Sequence, residues 1–165
     1  MERSKNIFDK IGSLIPGYRG YAERDGRRNC DKLLRNQISE RLIYCESIIN
    51  NRIKSEVKNN NLGSLRDLED CQQKLNTLSD KIKYAPYGES SFFGDSQIKE
   101  NELQNIYELD FELYTLLQES EKYLIDTTIV DILMYISSID TMIKKRNDFP
   151  VGSRNSNTFI NKCQN

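Results

Sequence analysis

Four cations stand in a row near the start of a long apolar-periodic stretch of the chain: Arg24, Arg28, Lys32 and Arg35, at steps of 4, 4 and 3. On a helix that spacing puts them along one face. Arg27 flanks the row, Arg19 lies just before it, and Tyr18 and Tyr21 stand beside it on glycine-flanked backbone. Guanidinium forks grip phosphate or carboxylate in pairs, and the first turn of a helix adds free N–H donors. The chemistry on offer is anion recognition: a phosphate, an acidic protein segment or an anionic lipid. The preferred expectation is plainer. It makes the row a solvated face that pairs with Glu23, Asp25, Asp31 or the acids of the second half.

Ahead of that row, Ile7, Phe8, Ile11, Leu14 and Ile15 fall at i, i+1, i+4, i+7 and i+8, one stripe of a short helix. With Lys5 and Lys10 beside it, such a stripe can lie flat in a membrane interface. The preferred expectation is that it docks on the open end of its own bundle.

Other chemistry has little to build on. Histidine is absent, so no Glu-x-x-His pair exists for a di-metal helical site. Glu108 and Glu112 share a face at i, i+4, and carboxylates alone hold Mg²⁺ or Ca²⁺ weakly. Asp110 falls on the apolar seam, where a buried acid needs a partner such as an arginine. Cys30, Cys45, Cys71 and Cys163 have neither CxxC spacing nor a histidine base, and no GxGxxG, GxxxxGK[ST] or GxSxG occurs. The expectation is no catalytic residue, no metal and no cofactor, with a carboxylate-based metal-dependent enzyme kept as a distant alternative.

The elements that position these groups follow from periodicity. A helix is expected over 4–15, stopped by Pro16-Gly17. A second spans 22–60, with the seam Cys30, Leu34, Ile38, Leu42, Cys45, Ile49, Ile53 and Val57 at steps of three and four. Gly26 sits inside it, as a frayed first turn or a place where another backbone comes close. Asn59-Asn60-Asn61-Leu62-Gly63 ends it with residues that tolerate left-handed backbone. A third helix, 64–85, opens on Ser64 three residues before Asp67, much like a capping box. The short turn between the second and third predicts an antiparallel hairpin. In the following loop, Tyr87, Phe92 and Phe93 are expected to plug the end of the bundle. From 97 to 147 the helical pattern returns, through Leu103, Ile106, Asp110, Leu113, Leu117, Leu124, Ile132, Tyr135, Ile139, Met142 and Ile143. One continuous helix would be about 75 Å long. The alternative is a break in Asp126-Thr-Thr-Ile-Val130, where a β-branched run weakens helix and Asp126 can cap a new start. Both versions stay open. Residues 150–165 read as a flexible polar tail.

Together these predict an all-α fold: an elongated antiparallel helical bundle of three to four long helices with a short N-terminal amphipathic helix, one domain over 1–149. Apolar residues at 37% and charged residues at 30% suit a slender bundle with much solvated surface. Residues 1–60 carry thirteen Lys/Arg against eight Asp/Glu, and 61–165 carry eleven against seventeen. The two halves are expected to neutralise each other, which makes nucleic acid an unfavoured partner.

The string Ile15-Pro-Gly-Tyr-x-Gly-Tyr, followed by Arg27-Arg28 and Asp31-Lys-Leu-Leu-Arg35, resembles the opening of an uncharacterised bacterial helical family. The resemblance covers about twenty residues and implies a defined opening unit with no attached activity. No charged-then-apolar leader and no run near the roughly 20 apolar residues of a membrane span occurs. The expectation is a reduced, cytoplasmic helical interaction or scaffold protein that binds a protein partner or a second copy. The first alternative is peripheral attachment to an anionic membrane through residues 4–35.

Overall fold

The computed structural model describes residues 7–19, 24–84 and 100–148, apart from the side chains of Phe8, Arg24, Asp25, Arg27, Arg28 and Glu100. Five α-helices run in chain order: α1 Ile7–Leu14, α2 Arg24–Lys58, α3 Leu65–Lys83, α4 Glu100–Asp126 and α5 Ile129–Asn147. The described residues contain no strand, and the fold is an all-α bundle. Tyr21, the aromatic loop Tyr87–Phe93 and the tail from 149 lie outside the described residues.

Local chemistry sets the helix ends. Ile15-Pro16-Gly17-Tyr18 closes as a type II turn: the Tyr18 amide donates to the Ile15 carbonyl at 3.1 Å, and Gly17 takes φ +83°. Asn60, at φ 56°, ends α2. The Asn61 amide returns to the Glu56 carbonyl and the Asn60 amide to that of Val57, the two bonds of a Schellman cap. The expected Ser64 capping box does not form. A single 3-10 turn, Leu62–Ser64, leads into α3, and the Ser64 side chain makes no cap bond. Gly26 lies inside α2, and a Cβ there would meet nothing within 4 Å, so no neighbouring backbone explains it.

The last helical stretch is broken, two residues after Asp126. Thr128 adopts extended backbone and its hydroxyl accepts the Asp131 amide at 3.2 Å. The same hydroxyl donates back to the Asp131 carboxylate at 2.6 Å. Thr128 therefore caps α5, with Asp131 as its reciprocal partner, in the place the sequence suggested for Asp126.

Around the bundle, α2 packs on α3 and α4, and α5 packs on the same two helices from the other side. Ser39 meets Ser79 at 2.9 Å while Gln72 donates to Glu46, so α2 and α3 are antiparallel. Arg41 reaches Glu121 and Arg52 reaches Leu124, so α2 and α4 run parallel. Tyr135 donates to the Leu116 carbonyl and Arg146 to Asp110, so α4 and α5 are antiparallel. Two hairpins thus lie side by side, and the link from α3 to α4 joins diagonal corners. The core is the predicted seam of Leu34, Ile38, Leu42 and Ile49 against Leu68, Leu75, Leu113, Leu117, Ile132 and Ile139. Val57, expected to continue that seam, is 50% exposed, because α2 ends one residue later and neighbouring α4 gives way to the turn.

The hairpins are uneven. Arg35 of α2 reaches the Ile82 carbonyl near the end of α3, so residues 24–34 run past α3. Asp110 of α4 meets Arg146 near the end of α5, so residues 100–109 run past α5. The N-terminal segment packs on these two overhangs, at Cys30 of α2 and Tyr107 of α4, and reaches Phe111 just beyond. Ile11 and Ile15 are 1% exposed, Lys10 lies 5.7 Å over the Phe111 ring, and Tyr18 meets Tyr107 edge-on at 6.5 Å. The apolar face of α1 is therefore docked on α4.

Candidate functional site

At the level where α3 and α5 end, four charged side chains meet inside the bundle. Asp31 accepts the Arg35 Nε at 2.8 Å on one oxygen and the Arg146 guanidinium on the other. The Arg146 Nε donates to Asp110 at 2.9 Å. All four residues are at most 6% exposed. Arg35 also reaches the Ile82 carbonyl at 3.5 Å, among the last carbonyls of α3, where a cation is favoured. Two carboxylates and two guanidiniums give a neutral layer that ties α2, α3, α4 and α5 together. Buried charge survives only with such pairing.

This placement corrects the arginine row. Arg35 turns inward, because Asp31 one turn earlier and Asp110 across the seam hold it and Arg146 in the interior. It does not belong to an open anion surface. Tyr18 is likewise buried, at 6% exposure. Lys32 and Arg19 are exposed, and the Arg19 amide donates to the Cys30 sulfur at 3.3 Å. The side chains of Arg24, Arg27 and Arg28, and all of Tyr21, lie outside the described residues. Of the candidate membrane face, Ile11 and Ile15 are buried, Ile7 and Leu14 are half-buried, and the Phe8 side chain is outside the described set. Asp110 finds the arginine it required, in Arg146.

Other polar contacts also close the structure. Arg52 donates to the Leu124 and Thr127 carbonyls, both at 3.0 Å, and so caps α4 from α2. Arg41 lies 5.5 Å over the Tyr114 ring, and its pairing with Glu121 holds the guanidinium more firmly protonated than usual. Burial pushes the Cys45 thiol up to about 11 and raises that of Cys71. Neither is poised to act as a nucleophile. Burial also raises the Tyr135 hydroxyl, which donates to the Leu116 carbonyl. Among the described residues no cluster of three His, Cys, Asp or Glu side chains is arranged to hold a metal ion, and no helix is long and apolar enough to cross a membrane.

The outer surface offers something different. Val130 is 66% exposed and Met134 60%, on the side of α5 opposite buried Ile132, Ile136 and Ile139. Ser137, Ser138 and Thr141 continue this outer side, all exposed. From Val130 to Thr141 it carries one charge, Asp131, at its N-terminal margin. A helix apolar on its core side and nearly uncharged on its outer side has the pattern of an element covered on both. Beside it, α3 and α5 part to leave a groove of about 540 Å³, with Leu78, Leu133 and Ile136 among its lining and Lys74, Lys81, Asp70 and Asp140 around them. The Asp140 carboxyl is held below the usual carboxylate range, chiefly by the Lys144 ammonium at 2.6 Å and also by Lys81 at 3.6 Å. The apolar periodicity of 97–147 marks its core-facing stripe and gives no sign of this second face.

Comparison with known proteins finds no matching family model, no matching curated protein and no matching solved structure.

Proposed function

We propose that this chain is a non-enzymatic helical interaction protein that engages protein chains through its outer helical faces, α5 above all. The observation that carries this reading is the exposed, nearly uncharged side of α5 from Val130 to Thr141. In a chain with 30% charged residues, three turns of solvent-facing helix with so little charge need a reason. Exposed apolar surface of this kind marks protein contact. The interior supports the same reading. Asp31, Arg35, Asp110 and Arg146 bind one another deep in the bundle, where they hold helices in place rather than face a cleft. The buried free thiols of Cys30, Cys45 and Cys71 fit a reducing, cytoplasmic setting.

The test uses the full chain as immobilised bait, in wild-type form and as Val130→Glu/Met134→Glu, against lysate of the native cell. Proteins retained by the wild type are expected to fall by at least about tenfold on the variant, since each charge must be desolvated at the contact. Identical retained sets, with helicity preserved by circular dichroism, would rule out α5 as the working face.

A further inference from the structure

We infer that the occupant of the α5 outer face is a second copy of this chain, with the two α5 helices packed antiparallel about a two-fold axis between Ser137 and Ser138. The inference rests on the reading of α5 as a contact face and names its partner. It is carried by the self-complementarity of the face. Val130 and Met134 are large and sit in its N-terminal half, whereas Ser137, Ser138 and Thr141 are small and sit in its C-terminal half. A two-fold contact requires each patch to match its own reverse. Antiparallel pairing about that axis sets Met134 against the partner's Thr141 and Ser137 against the partner's Ser138, so a long side chain enters the space above a short one on both sides. It sets Val130 against the aliphatic stem of the partner's Lys145.

Charge follows the same reversal. Asp131 marks the N-terminal margin of the face, and Lys144 and Lys145 mark its C-terminal margin, all exposed. The antiparallel arrangement brings Asp131 beside the partner's Lys145, which lies on the same flank of the face, with the mirror pair at the other end; Lys144 lies on the other flank, paired with Asp140. A parallel arrangement would leave Asp131 about 20 Å along the axis from the partner's Lys145, with no pairing at either end. Both size and charge thus select one orientation. The α3/α5 groove borders this face through Leu133 and Ser137, which leaves room beside α5 for the side chains of an incoming helix.

Analytical ultracentrifugation of the full chain over a concentration series tests this, together with thiol cross-linking. The expected result is a monomer–dimer equilibrium whose dissociation constant rises at least about tenfold in Met134→Glu and rises further in Met134→Glu/Lys145→Glu. In a Cys163→Ser background, Ser137→Cys is expected to form an intermolecular disulfide on mild oxidation, and Lys54→Cys, an exposed position on α2, is not. Cross-linking leaves the face unburdened by charge, so it decides the matter even if Met134→Glu perturbs folding. A wild-type monomer up to about 100 µM, a dimer unaffected by Met134→Glu, or equal cross-linking at both positions would overturn the two-fold contact. A monomer that still captures other proteins through α5 would sink the dimer and leave the interaction reading standing. A dimer whose bait retains the same proteins with or without the α5 charges would do the reverse.

Discussion

Replacing Arg146 with methionine is the sharpest probe of the interior. Its guanidinium bridges Asp31 and Asp110, residues of two different helices, at 3% side-chain exposure. Methionine keeps the unbranched apolar stem and its packing but is shorter by the guanidinium group, so the change removes the charge and its hydrogen bonds. Removing one member of a buried ionic cluster costs about 3–5 kcal/mol, because carboxylate charge remains in a dry interior with less compensation. A domain of this size is stable by about 5–15 kcal/mol in total, so the loss is a large fraction. With a urea slope of about 2 kcal/mol per molar, the midpoint should fall by about 2 M. Arg35→Met should cost less, about 1–3 kcal/mol, since Asp31 keeps its bond to Arg146. The informative comparison is Asp31→Leu/Arg35→Met/Asp110→Leu/Arg146→Met. With no charge left to desolvate, it should recover most of the loss, or exceed the wild type by about 1–4 kcal/mol. Urea titration followed by circular dichroism at 222 nm measures all three. A midpoint shift below about 0.5 M for Arg146→Met, or a fourfold variant weaker than the single one, would refute the electrostatic account.

Arg52→Ala removes both bonds to the terminal carbonyls of α4, and the melting temperature should drop by about 3–6 °C, read by a thermal scan. An unchanged melting temperature would mean water caps α4 equally well. Asp140 has a carboxyl pKa depressed by Lys144 and Lys81, so its contribution is present above the unfolded carboxylate pKa and fades as pH falls through the folded value. Asp140→Asn should therefore flatten the acid side of the stability–pH curve below about pH 4, and leave its neutral-to-basic side unchanged in slope. Cys30, Cys45 and Cys71 are at most 1% exposed, and at pH 8 they should react with a thiol reagent only at the rate of unfolding. Rapid native-state labelling at Cys45 by mass spectrometry would contradict its burial and its raised thiol pKa.

Hydrophobic spacing made the helices legible. The seam from Cys30 to Ile49 and the run Leu68, Leu75, Leu78 and Ile82 are buried as periodicity requires. The short connection after Asn60 gave the α2–α3 hairpin for the same reason, since asparagine accepts left-handed backbone. The α4–α5 break was visible only as a weakness, because a β-branched run marks where a helix can stop without saying which hydroxyl restarts it. The charge layer was half legible. Asp110 stood out as an acid on an apolar seam, but its partner was missed. Extending the series Ile132, Ile136, Ile139 and Ile143 by three more residues arrives at Arg146, and that continuation was the available signal. Arg35 was misplaced because it sits in step with Arg24, Arg28 and Lys32. Spacing along one helix cannot tell which side a neighbouring helix will cover. The outer side of α5 is illegible for the converse reason: a core stripe accounts for the apolar spacing of 129–147 in full, and nothing in that spacing requires a second face.

Leucines and isoleucines recurring every three or four residues are a poor ruler. One hairpin shifted lengthwise against the other by a single turn, about 5.4 Å, would still set grease against grease. The ionic contacts are far less forgiving, because Arg146, fixed by Asp110 within its own hairpin, also grips Asp31 of the other, and the same displacement would snap that bridge. The layer therefore works as a detent, letting two otherwise slippery rods click home at one depth and no other.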